Sequence, residues 1–210
     1  MTVPLIALIV SIVALATSIG SLWVNSLKPF KLSVSHDAPT FKLYKITPAI
    51  SGSKTGETWW IPSFDVGMSF YNLGRRPGEV LDVRIVAKLN GHRSHRKFVF
   101  YPKWIVNYAH FQKDRAHRMT WLDSAVSRDW YPFMLGPMGE KDLHVILEGD
   151  RWDHKETGAI ELTFAVFSSA GEAWSTLGNY TLHISDDMFE GHSSYTVSDK
   201  KIENLRRIEA

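Results

Sequence analysis

The chain has no cysteine in 210 residues. Disulfides, thiol catalysis and thiolate metal sites are therefore excluded, while either side of a membrane stays open as its location. A second absence is local, because Met1 to Leu27 contains no Asp, Glu, Lys, Arg or His. A third is of signatures. There is no Gly-x-Ser-x-Gly elbow, no Gly-x-x-x-x-Gly-Lys-Ser/Thr loop and no His-Glu-x-x-His pair, so hydrolase, nucleotide and zinc-protease chemistries have no anchor. Internal repeats and low-complexity tracts are also missing. The expectation is a non-enzymatic chain with no catalytic residue, metal site or cofactor.

The uncharged opening is the main positive signal. A helix rises about 1.5 Å per residue and the hydrocarbon core is about 30 Å thick, so about 20 apolar residues suffice to cross it. Val3 to Val24 meets that length. A cleaved signal peptide would need a basic start, a shorter run and a small-x-small site; nothing basic precedes Val3. Trp23 falls at headgroup level, and Asn25, Lys28, Pro29 and Lys31 follow, with Pro29 disfavouring helix at Lys28. Residues 1–28 are thus read as one transmembrane helix. Within it Ala7, Ser11, Ala14, Ser18 and Ser21 recur at steps of four and three, and Ala16 and Gly20 add a small-xxx-small pair. Such a stripe lets helices approach closely in lipid, so self-association or a partner helix is expected there. Lys28, Lys31, Lys42 and Lys45 all follow the span, which by the positive-inside bias puts the rest of the chain in the cytoplasm, the outside being the alternative.

Residues 29–198 are read as one domain, large enough to bury a core without staples. From Phe30 the apolar pattern has period two: Phe30–Ser35, Phe41–Ile46, and Ser63–Asn72 with Phe64, Val66, Met68 and Phe70 on one face. The other face of that strand, including Asp65 and Gly67, reads as the outward one. Val80, Val83, Ile85, Ala87 and Leu89 lead to an Asn90-Gly91 turn, and Lys97–Tyr101 can pair back across it. Lys141–Leu147, Ala159–Phe167 and Asn179–Ile184 are further strands. Residues 199–210 read as a short amphipathic helix capped by Asp199.

Between two of these strands, Phe70-Tyr-Asn-Leu-Gly-Arg-Arg-Pro-Gly-Glu-Val-Leu-Asp82 reads as a strand-turn-strand corner. In this corner and in its overall layout the chain resembles immunoglobulin-like β-sandwich domains of bacterial surface and membrane proteins, and uncharacterised bacterial proteins that follow one N-terminal span with such a sandwich. The resemblance implies a mainly β fold and an adhesion, assembly or accessory role, and it carries over no catalytic residue. The antibody-type cysteine pair is missing.

Charge is unevenly spread. Residues 75–118 hold eleven Lys and Arg against three acids, and residues 119–210 hold eight against sixteen. The first block carries Arg93, Arg96, Lys97, Lys113, Arg115 and Arg118 among aromatic residues, an interaction surface for anionic lipid or an acidic protein; nucleic acid is not expected. His92-x-x-His95 and Asp150-Arg-Trp-Asp153-His154 lack an established ligand spacing, and the second reads as a solvated loop of compensating charges. Trp59, Trp60, Trp104, Trp121, Trp130 and Trp152 fall mostly in loops by pattern. The favoured reading is a membrane-anchored binding or assembly module, an accessory subunit of a membrane complex. The alternative is an extracytoplasmic enzyme or glycan-binding domain using the Trp- and His-rich segment 101–154.

Overall fold

The computed structural model of the chain describes residues 2–46, 58–90, 95–107, 126–190, 194–196 and 198–199. Helix α1, Thr2–Leu22, continues into a single π-helical turn, Trp23–Leu27. Over Val3–Leu27 it forms one uncharged apolar helix long enough to cross a membrane, and none of that surface is buried. Pro4 is tolerated because the first-turn N–H groups have no helical partner anyway.

The rest is mainly β. The strands are β1 Leu32–His36, β2 Thr40–Ile46, β3 Trp59–Asn72, β4 Gly78–Asn90, β5 His95–Val106, β6 Val126–Asp129, β7 Phe133–Leu135, β8 Glu140–Glu148, β9 Gly158–Ser168 and β10 Ser175–Ile184. A 3-10 turn at Asp186–Phe189 precedes two short strands, β11 Ser194–Thr196 and β12 Ser198–Asp199. All pairings are antiparallel, in the order β11-β2-β3-β8-β5-β4-β9-β10-β12, with β1 on β3, β6 on β5 and β7 on β4.

One strand joins the two halves of this sheet. The first part of β5 pairs with β4, from Asn90↔His95 to Ile85↔Phe100, and its second part pairs with β8, from Tyr101↔Glu148 to Val106↔His144. Pro102 and a register irregularity before Trp104 lie just past the crossover. Proline donates no ladder hydrogen bond and bulges bend a strand, so this is where such a sheet turns over on itself. Opposite β5, His36 of β1 meets the other half: its ring lies edge-on to Phe164, with centroids 4.9 Å apart, and its Nδ1 is 3.3 Å from the Tyr180 hydroxyl. The result is a near-barrel.

The apolar faces expected from period two are the core. Phe64, Val66, Met68 and Phe70 of β3, Val80, Val83, Ile85, Ala87 and Leu89 of β4, and Ile160, Leu162, Phe164 and Val166 of β9 are all buried. The three-residue step from Val80 to Val83 is absorbed by a bulge, where the register against β9 shifts between Val80 and Asp82. β4 and β5 pair back across the expected turn, with Lys88 opposite Lys97 and Asn90 opposite His95, so four residues rather than two separate the paired ends.

Three expectations are corrected. Three tryptophans are strand residues rather than loop residues: Trp59 and Trp60 open β3 and Trp104 lies in β5, whereas Trp130 follows β6 in a loop as expected, and Trp152, in the loop after β8, is buried and bridge-paired to Trp60. Together with Phe41, Phe98 and Phe189, Trp60 and Trp152 plug the end of the domain remote from α1, because bulky rings bury more apolar area there than a loop would leave exposed. Asp199 is a strand residue paired with Tyr180 rather than a helix cap, since the free edge of β10 offers it backbone partners; the rest of 199–210 lies outside the described residues. Asp65, on the outward face of β3, is buried, along with Ser63. The loop expected over Thr47–Glu57 also lies outside the described residues.

The junction of helix and domain is bonded rather than loose. The Lys28 carbonyl accepts from the backbone N–H of both Arg75 and Arg76, and the Lys31 carbonyl accepts from Leu73. These donors belong to the β3–β4 corner, which is organised by Asn72. Its buried carboxamide donates to the carbonyls of Arg76 and Gly136 and accepts from the Gly74 N–H, each at 2.8 Å. Glycine is required at 74 because a Cβ there would stand 2.0 Å from the Pro29 carbonyl oxygen. Asn72→Ala strips partners from three backbone groups, so urea denaturation of the micelle-solubilised full chain is expected to show a loss of about 3 kcal/mol. Unchanged stability would mean that the corner holds without its carboxamide.

Candidate functional site

The outward face of β3 carries the densest buried chemistry in the described part of the domain. Antiparallel pairing sets Asp65 diagonally from Lys42 on β2 and from His144 on β8. Diagonal neighbours on one face lie within reach of long side chains. Lys42 Nζ donates to Asp65 Oδ2 at 2.6 Å, and His144 Nε2 is hydrogen-bonded to Asp65 Oδ1. Burial alone would push the Asp65 carboxyl up. The hydrogen bond from His144 and the charge of Lys42 outweigh it and hold the carboxyl below its usual range. Asp65 is therefore ionised at neutral pH and acts only as an acceptor, so the proton of that bond resides on His144 Nε2. In a neutral imidazole this leaves Nδ1 as the acceptor atom.

The same face has an apolar flank. Val106 and Ile146 are buried against Tyr44, Trp104 and Val126. Burial first, and then the Asp65 carboxylate, push the Tyr44 hydroxyl up to about 12, so it stays neutral across the physiological range.

Beside this cluster lies an open cleft of about 490 Å³ whose lining includes His36, Asp37, Gly67, Asn107, Asp142 and His144. It forms where the outer strand beside β3 is interrupted. β1 ends at His36, β2 begins at Thr40, and between them the Asp37 N–H donates to the Gly67 carbonyl at 3.0 Å. A Cβ at Gly67 would sit 2.6 Å from Asp37 Oδ2 and 3.6 Å from His144 Nδ1. The glycine thus lets a carboxylate and an imidazole come together above the strand. No group of three or more His, Asp or Glu among the described residues is arranged to hold a metal ion.

The residues singled out in the sequence are distributed differently. Ala7, Ser11, Ala14, Ser18 and Ser21 share one exposed stripe of α1. Ser11 donates to the Ala7 carbonyl at 2.9 Å and Ser18 to the Ala14 carbonyl at 2.8 Å, so both hydroxyls turn back into their own helix. The stripe's lower half forms a shallow groove that Thr17 and Asn25 extend, Asn25 donating to Ser21 Oγ at 3.1 Å. Arg96 and Lys97 are exposed near the start of β5, with Arg96 paired to Glu156. Arg93, Lys113, Arg115 and Arg118 lie outside the described residues, as do His92, Trp121 and the middle of segment 101–154. In the loop after β8, Arg151 pairs with Asp153 at 3.1 Å and Lys155 with Glu190 at 2.7 Å, while Trp152 between them is turned inward.

Sequence reading missed Lys42, Asp65 and His144, the three charged or ionisable groups that do converge. They are 23 and 79 residues apart along the chain, and only the strand register brings them together. The one local signal was Asp65 within an otherwise apolar strand.

No family model matches the chain, and no curated protein matches it. Among solved structures it is similar to the crystal structure of a protein described as ApaA from Bordetella pertussis, at 12% identity and a TM-score of 0.30, over 76% of this chain and 98% of that one. A second X-ray structure, from the Northeast Structural Genomics Consortium, matches at 11% identity and a TM-score of 0.29 over 78% of this chain and 91% of its own. Scores at this level carry no argument about fold or activity.

The charge cluster makes a testable statement about pH. Because the folded chain holds the Asp65 carboxyl below its usual range, the unfolded chain binds that proton more tightly. The trio's contribution is therefore fully present at neutral pH and is lost as the pH falls below about 4. Asp65→Asn is expected to lower stability at pH 7 by about 2 kcal/mol and to flatten the acid limb of the stability–pH curve relative to the parent. An acid limb of the same steepness in both proteins would mean that Asp65 is not linked to folding.

Proposed function

We propose that the protein is a membrane-anchored, non-enzymatic binding or assembly module, retained by α1 and presenting a rigid β domain at the bilayer. The observation that carries this reading is the junction. An apolar helix with no buried surface passes into backbone hydrogen bonds between Lys28, Lys31 and the Leu73–Arg76 turn, with no free linker between them. A cleaved signal sequence would have no use for a junction built into the fold. The small-residue stripe supports helix–helix contact, with itself or with a partner's span, through close packing rather than free hydroxyl donors.

Within this reading the domain is an immunoglobulin-like sandwich. Support comes from the strand order: β1/β2-β3-β8-β5 and β4-β9-β10 parallel the A-B-E-D and C-F-G sets of constant-type immunoglobulin domains. β5 stands in the D position, with its first half alongside β4. The domain is assigned to the cytoplasmic side on the lysines that follow the span.

A second reading, a ligand-binding or catalytic domain, is favoured by one observation. The Asp65-bound imidazole of His144 borders a cleft that also holds His36, Asp37 and Asp142, an arrangement able to accept a proton from a bound group.

The lack of native cysteine makes the anchored reading directly testable. With Lys97→Cys as a single label site, the full-length chain should stay in alkaline-washed membranes. It should react with an impermeant maleimide only after the cells are opened. Release of a shortened chain would reject the anchor, and labelling in intact cells would reverse the sidedness.

A further inference from the structure

The end of the β domain at which α1 enters differs from the rest of its surface. Outside α1 and its terminal turn, the exposed large apolar and aromatic side chains among the described residues are Leu73, Tyr101, Tyr131, Met134 and Met138. Leu73, Met134 and Met138 gather around the corner that grips the helix. Leu73 donates its N–H to the Lys31 carbonyl, Met138 donates to the Gly74 carbonyl, and Met134 lies opposite Glu79 at the start of β4. Apolar side chains scattered singly need no explanation, but this grouping does.

Met138 adds a second observation. It is the one non-glycine residue with positive φ among those described, at 50°. It sits between Gly136 and Gly139, in a turn closed by the Gly139 N–H to the Gly136 carbonyl. Glycine would take this conformation without strain. Instead, the chain carries a long flexible apolar side chain there, 55% exposed.

The charges around these residues are of one dominant sign. Lys28 and Lys31 leave the helix, and Arg75 and Arg76 are brought beside them by the two hydrogen bonds to the Lys28 carbonyl. All four side chains are exposed. The acids on the adjoining strand ends are Glu79 and Glu140. An apolar tip ringed by cations, on the end from which the apolar helix departs, has the composition of a surface that meets lipid headgroups: methionine and leucine at the acyl boundary, Lys and Arg at the phosphates.

We infer that this end of the β domain docks on an anionic bilayer surface, with Leu73, Met134 and Met138 inserted at the interface and Lys28, Lys31, Arg75 and Arg76 contacting acidic headgroups. The inference rests on the anchored reading, since the helix must lie in the same bilayer. Docking gives the domain a fixed pose on the membrane, and it gives Arg75 and Arg76 a role that their remote place in the sequence does not announce.

The test uses the full chain reconstituted into phosphatidylcholine vesicles with and without phosphatidylglycerol. Single-cysteine variants M138C, K97C and V13C each carry an environment-sensitive fluorophore. In anionic vesicles the label at 138 should be blue-shifted and quenched by a shallow lipid-borne quencher. The label at 97 should stay aqueous, and the label at 13 should be quenched from deep in the bilayer. Adding R75E and R76E to M138C should return the label at 138 toward its aqueous spectrum while a parallel V13C control stays buried. An aqueous label at 138 alongside a buried label at 13 overturns the docking and leaves the anchor standing. Equal immersion in vesicles lacking phosphatidylglycerol overturns the recognition of anionic lipid. An aqueous label at 13 overturns the anchored reading and the docking with it.

Discussion

One buried carboxamide sets the geometry of the molecule. Asn72 uses both N–H donors and its carbonyl on backbone groups of the β3–β4 corner and the turn before β8. Aspartate, with no donor when ionised, would strip the Asn72 donor from both carbonyls, leaving the Gly136 carbonyl with the Gly139 N–H alone, and an apolar residue would remove the Gly74 N–H acceptor as well. With the corner fixed, its N–H groups at Leu73, Arg75 and Arg76 point at the carbonyls of Lys31 and Lys28, and the chain leaving α1 is held as it emerges. Gly74 and Gly78 are the steric side of the same arrangement. The first lets the Pro29 carbonyl come close, and at the second a Cβ would fall 2.1 Å from the Phe30 ring. The helix exit and the domain therefore share one hydrogen-bonded frame, and on the anchored reading a tilt of α1 in a bilayer would be transmitted to the β domain.

The second constraint is electrostatic and lies across the sheet. Burying Asp65 costs solvation, and the fold offsets this with two partners from the two flanking strands. Removing one partner of such a group is expensive because the other charge is then stranded. The register of β2 and β8 against β3 is thereby tied to specific hydrogen-bonded contacts with Asp65 in addition to the apolar alternation. A slip of one residue would turn Lys42 and His144 away from Asp65 and Phe64 out of the core. Polar and apolar faces enforce the same pairing.

How much of this was legible follows from where each signal lies. Strand faces such as Phe64–Phe70 and Ile160–Val166 are written in local alternation, and the sequence pattern located them. The Asn72–Gly74 corner was legible as a turn because its residue types are local too. Its role as a helix clamp was not, since that depends on carbonyls more than 40 residues earlier in the chain. The tryptophans misled for a related reason. Trp152 sits among Asp150, Arg151 and Asp153, so its surroundings in sequence are those of a solvated loop, yet its ring packs at tilted angles against rings from β2, β5 and the 3-10 turn. The Lys42–Asp65–His144 trio is invisible without the register. Its one local trace, an acid inside a strand, also fits an exposed face.

The direction of β4 connects these features. It starts at Gly78 beside the clamp and ends at Asn90 before the hairpin, so at about 3.3 Å per residue its two ends are about 40 Å apart. Arg96 and Lys97 are paired near the remote end, across from Leu89 and Lys88. On the anchored and docked reading, a bilayer holding α1 would meet Lys28, Arg75 and Arg76, and with β4 running away from it would leave Arg96 and Lys97 well beyond a Debye length of about 8 Å from its surface. These two groups of described basic residues thus lie toward opposite ends of β4. On that reading the set at the clamp would be confined to whatever the helix sits in, whereas the set at the hairpin would be available to a partner arriving from the aqueous side. An anchored module with a hydrogen-bonded junction, as proposed, would present that second set at a constant height above the membrane, which a flexible tether would not do.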